Sequence, residues 1–121
     1  MIRSVFALFL LAHAIAHVPE FLVSWHLIAN RPDLPYRTAI FGGAVHVGRA
    51  GMRVVGFFWL VAGLGVAFAA IELMRNAPVA WPAAWAAAAF SGIMTIVGWP
   101  DSRTGAVLNA VTFAALIWFL L

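Results

Sequence analysis

Four long apolar blocks, separated by one long connection and two short polar breaks, constrain this chain more than any other feature of it. They cover residues 2–29, 52–74, 81–98 and 104–121. Each is at or near the roughly 20 residues that a helix needs to cross a bilayer. In lipid, every backbone polar group must be satisfied within its own segment, so blocks of this length become helices. The expected fold is all-α: one transmembrane domain over residues 1–121, an integral membrane four-helix up-down bundle. Composition agrees, with 65% of the 121 residues hydrophobic, 9% charged and a mean hydropathy of +1.02. A soluble domain carries charge on about a quarter of its residues.

Charge is scarce, so its placement is informative. Seven arginines, no lysine and four acids give a formal charge of +3. No basic cluster is present, which removes nucleic acid as a partner and leaves the lipid bilayer. A homo-oligomer or a larger membrane complex remains open. The absence of cysteine excludes disulfides, thiolate metal sites and thiol catalysis. With four spans, Arg3 and Arg75 lie on the side of both termini, and Arg31, Arg37, Arg49, Arg53 and Arg103 on the other. An excess of arginine marks the cytoplasmic side, so both termini are expected outside. Arg49 and Arg53 are expected at lipid headgroup level, and Trp25, Trp81, Trp99 and Trp118 near span ends.

Inside the first block, His13, His17, Glu20 and Ser24 follow at i, i+4, i+7 and i+11, which is one face of a helix. Ionisable groups at membrane depth are costly and usually face a bundle interior or a hydrated cavity. Pro19 removes a backbone donor and opposes the carbonyl of Ile15, so a kink is expected there. Arg3, the apolar run Ser4 to Ala12 and Ala14-Ile15-Ala16 imitate a secretion signal. Because His13 interrupts that run and hydrophobicity resumes through Ile28, a retained helix is the expectation and cleavage the lesser alternative.

Two readings of this stripe stay open. In one it is a site: His13 and His17 hold a metal ion, with Glu20 as third ligand or as an acceptor behind them. A HEXXH protease is excluded, since no glutamate lies between the histidines. Neighbours on one helix cannot take opposite faces of a porphyrin, so a haem would need one of them plus His46. The imidazoles could also bind a quinone-type ligand or carry protons. In the other reading the protein is a non-catalytic packing or accessory subunit, with His13, His17 and Glu20 paired to one another and to Asn109. No nucleophile–base pair is present, so no enzyme class is assigned.

The remaining segments are connectors and packing surfaces. Asn30 to Arg37, with two prolines, stops the first helix. Thr38 to Gly48 is too short to span and reads as an interfacial helix or a tucked loop. If helical, it places His46, Arg49 and Arg53 on one face. Its glycines lack the following Gly-Lys-Ser/Thr of a phosphate loop. Gly63-xxx-Ala67 offers a close-packing pair in the second span. In the third, Ser91 and Thr95 are expected to bond back to their own helix. Asp101 or Ser102 is placed to cap the fourth. Gly105, Asn109 and Thr112 share a face there, able to meet the first-span stripe. The alternative for Asn109 is a bond to a neighbouring backbone carbonyl.

The run Met52-Arg53-Val54-Val55-Gly56-Phe57-Phe58-Trp59-Leu60 and the turn Gly98-Trp99-Pro100-Asp101 leading to Gly105 and Asn109 resemble small four-span membrane proteins of bacteria, similar to the DoxX-like group. The resemblance covers the second to fourth spans. It implies a bacterial cytoplasmic membrane location and a link to quinone-coupled redox chemistry. It assigns no role to His13, His17 or Glu20.

Overall fold

A computed structural model describes all residues, 1–121, and shows four helices long and apolar enough to cross a membrane. The first is bent. It consists of α1 (Ile2–Ala16) and α2 (Val18–Ser24), joined at His17. The helix breaks two residues ahead of Pro19, which sits in the first turn of α2, where a missing backbone donor costs nothing. The N–H of His17 instead reaches back three residues, 3.2 Å from the Ala14 carbonyl. The expected kink is present and the helix stops at Ser24, five residues short of the expected end.

Helices α3 (Gly48–Met74), α4 (Ala80–Val97) and α5 (Arg103–Leu120) are the other spans. At 1.5 Å per residue α3 is about 40 Å long and α4 and α5 about 27 Å, against a hydrocarbon core of about 30 Å. α3 starts four residues earlier than the apolar block suggested. Arg49 and Arg53 therefore lie exposed on its first turns, and His46 falls outside it. The first span packs on α3 and α5, and α4 packs on α3 and α5. The four form a ring in which the first span and α4 stand diagonally opposite.

Neighbours run antiparallel, as contacts at both ends show. At the terminal end Phe6, Trp81 and Phe119 stack together. Nε of Arg3 donates at 3.0 Å to the Leu73 carbonyl at the end of α3, which also accepts from the Asn76 N–H at 3.3 Å. At the other end Gly56 lies under Ser24, where an added Cβ would meet the serine Cβ at 2.6 Å. One turn-pair deeper, a Cβ on Gly63 would stand 3.1 Å from the Ala14 carbonyl and 3.2 Å from Cβ of His17. These two glycines let the bent helix lie directly on α3.

The connection between α2 and α3 is neither helix nor plain loop. Residues Ala39–Ile40 (β1) pair antiparallel with Val45–His46 (β2) around a 3-10 turn at Phe41–Gly43, where Gly42 has φ 67°. This small hairpin lies over the loop end of the bundle. Arg37 fastens it there through a two-bond ion pair with Asp101, Nε to Oδ2 and Nη2 to Oδ1. Asp101 therefore does not cap α5. Ser102 occupies the N-cap position but its hydroxyl donates to the Thr95 carbonyl at 2.6 Å.

Candidate functional site

The centre of the ring is polar. His13 and His17 are 0% and 2% exposed, and both turn inward from the first span. Their rings lie 5.0 Å apart between centroids. From the diagonally opposite helix, Oγ of Ser91 reaches both: 2.8 Å to Nε2 of His17 and 3.4 Å to Nε2 of His13. Thr112, from the middle of α5, sits on the other side of His13, its Oγ1 3.0 Å from Nδ1. Thr112 is also 2.8 Å from the Leu108 carbonyl of its own helix. All four side chains are buried.

Counting protons along this chain fixes its logic. A hydroxyl carries one proton and a neutral imidazole one donor and one acceptor nitrogen. If Thr112 donates to Leu108, then Nδ1 of His13 donates to Thr112, Ser91 donates to Nε2 of His13, and Nε2 of His17 donates to Ser91. If Thr112 turns its proton to His13, the bond to the Leu108 carbonyl is given up and the three bonds among Thr112, His13, Ser91 and His17 reverse. Both arrangements keep two neutral rings. Each leaves one open end, Nδ1 of His17, an acceptor in the first arrangement and a donor in the second.

Glu20 stands apart from this chain. The bend at His17 redirects α2, and Glu20 lines a cleft of about 610 Å³ at the loop end, below the hairpin. Its Oε2 is buried and has no hydrogen-bond partner. No group of three His, Asp or Glu side chains is placed to hold a metal ion, so the expected His13/His17/Glu20 triad is not assembled. His46 is exposed on β2 and lines the same cleft, away from the buried rings, so it does not complete a haem pair with either. The rings and the cleft are separated by Trp59, which packs on His17 at 5.3 Å and also lines the cleft. Toward the terminal end His13 meets Phe9 and then the aromatic stack, which closes that route.

The other expected polar partners behave differently from one another. Asn109 does not reach the histidines. Its Nδ2 donates to Thr95 Oγ1 and to the Gly105 carbonyl, both at 2.9 Å, and its Oδ1 is buried without a partner. Thr95 also donates to the Ser91 carbonyl, the expected bond to its own helix. Ser24 is buried against Gly56. Ser91 is the residue that sequence reasoning misassigned: its hydroxyl goes to the histidines, not back to its own helix. The alanines around it bring α4 close enough to bond across the ring.

Comparison with protein-family models, with curated proteins and with solved structures gave no match to this chain.

Proposed function

We propose that this protein is an integral membrane protein that takes up and shares a proton at the His13–His17 pair. The observation that carries the reading is Ser91, bonded to Nε2 of both rings. A proton taken up at Nδ1 of His17 makes that ring an imidazolium. It can then pass the Nε2 proton to Ser91 while Ser91 passes its own to Nε2 of His13. One proton enters, and its charge moves from one ring to the other along the first span, between centroids 5.0 Å apart. Histidine suits this because each ring nitrogen can either donate or accept a proton. The five arginines at the loop end lead us to infer that this end faces the cytoplasm and both termini face outward, with Arg49 and Arg53 among the headgroups.

Nitrogen-15 NMR of histidine-labelled protein in bilayers tests the reading. As pH falls, both rings are expected to respond to a single shared proton, and Ser91→Ala to uncouple them. Rings that stay neutral until the fold is lost would sink it.

A second reading has its own support. The chain from Leu108 through Thr112, His13 and Ser91 to His17 meets its polar demands internally, as a packing device would. In that case the protein is an accessory subunit, and Ser91→Ala alters stability alone.

A further inference from the structure

We infer that the loop-end cleft is a binding site for a small organic ammonium cation bearing an apolar or aromatic group. The inference is independent of the histidine relay, since neither His13 nor His17 lines the cleft.

Four ionisable side chains besides tyrosine line the cleft: Glu20, Arg37, His46 and Asp101. Arg37 and Asp101 neutralise each other through two bonds. Arg31 does not line the cleft; it meets Asp33 at 3.5 Å in an exposed contact and makes no ion pair with Glu20. What remains is the exposed His46 imidazole and the Glu20 carboxyl, the only acid without a basic partner, with one oxygen buried and unbonded. A buried carboxylate without a partner is costly, and a ligand cation offsets that cost.

The walls fit such a ligand. Tyr36, Trp59 and Trp99 line the cleft, and indole and phenol faces attract cations and pack against apolar groups. At about 610 Å³ the space is within the range that holds small organic molecules and far larger than a bare ion needs. The hairpin above it is secured to the bundle by Arg37, so the aromatic wall from Tyr36 is held in place. Trp99 is half-exposed, which leaves the cleft open for entry.

Titration of the purified protein with benzyltrimethylammonium, read by tryptophan fluorescence and calorimetry, tests the assignment. Its neutral carbon counterpart, neopentylbenzene, has the same shape without the charge. The cation is expected to bind and the neutral molecule to bind at least about tenfold more weakly. Glu20→Gln is expected to weaken the cation by a similar factor and to leave the neutral molecule unchanged. Tyr36→Leu, on a segment outside the spans, is expected to weaken the cation severalfold while the fold is retained. Equal binding of the two molecules to the unaltered protein would overturn the inference, whether or not the Glu20 variant folds. So would absence of cation binding, or an affinity indifferent to Glu20→Gln. The histidine relay stands or falls separately, because its NMR signature requires no ligand.

Discussion

The hydroxyl of Ser91 lies 2.8 Å from Nε2 of His17 although the two residues belong to helices that face each other across the bundle axis. A bond across that diagonal requires both helices to approach the axis closely. Gly63 brings the bent first span down onto α3, and the alanine-rich face of α4 closes the distance from the other side. Packing of small residues and hydrogen bonding across the ring are therefore one device, in a setting where no hydrophobic driving force separates helix from lipid.

Removing that hydroxyl tests the device. Ser91→Ala leaves Nε2 of both rings without a partner in a buried site. An unsatisfied buried group costs about 1–3 kcal/mol. Unfolding in mixed detergent micelles is expected to show a loss in that range, with helix content retained.

A contrast is expected at Asn109. Its carboxamide already has an unpaired oxygen, and Thr95 keeps its bond to the Ser91 carbonyl when the side chain is cut back. Polar contacts within membrane bundles average about 0.6 kcal/mol by double-mutant cycles. Asn109→Ala is expected to destabilise by less than Ser91→Ala under the same conditions. A larger loss would show that Asn109, not the serine bridge, governs the polar core.

Much of this architecture was legible in the chain. Four apolar blocks gave the four spans, and Pro19 gave the bend, because both are local consequences of backbone chemistry. Thr112 was legible as part of a polar face, and it does meet His13. The stripe itself was only half right. The i, i+4, i+7 rule assumes a straight helix, and the break at His17 turns Glu20 away into the cleft. Ser91 was illegible because a serine in a helix has a local partner available, and only the packing of α4 shows that it takes a distant one. The hairpin at 39–46 was hidden for a different reason: two-residue strands are too short to display an alternating pattern.

Gly63 is the position where an added group presses directly on the bend of the first span. Its Cβ would press on a backbone oxygen and on Cβ of His17, neither of which can rotate away. Gly63→Val is expected to push the first span off α3 and to cost about 1–3 kcal/mol, as overpacking typically does. The measurement that matters is the His17–Ser91 bond, read from the nitrogen-15 shift of the imidazole. An unshifted resonance would mean that the helix accommodates the bulk elsewhere.

The Arg37–Asp101 pair is exposed on the arginine side, so it acts on the hairpin and not on the bundle. Exposed pairs contribute little to global stability and weaken with salt. Arg37→Ala is expected to speed amide exchange in residues 38–47 and to leave the unfolding midpoint unchanged. High salt applied to the unaltered protein is expected to do the same, more weakly.

Orientation is open to a direct test because the chain has no cysteine of its own. Single cysteines at Ile2 and Thr38 lie at opposite ends of the bundle, and both positions are exposed. The arginine count places position 38 with Arg31, Arg37, Arg49, Arg53 and Arg103, on the side that retains positive charge during insertion. A membrane-impermeant maleimide added to intact cells is therefore expected to label Ile2→Cys and to spare Thr38→Cys until the membrane is opened. Labelling in the opposite pattern would reverse the topology. It would then put the cleft, with Glu20 and its aromatic walls, on the outer face, and any cation it binds would arrive from outside the cell.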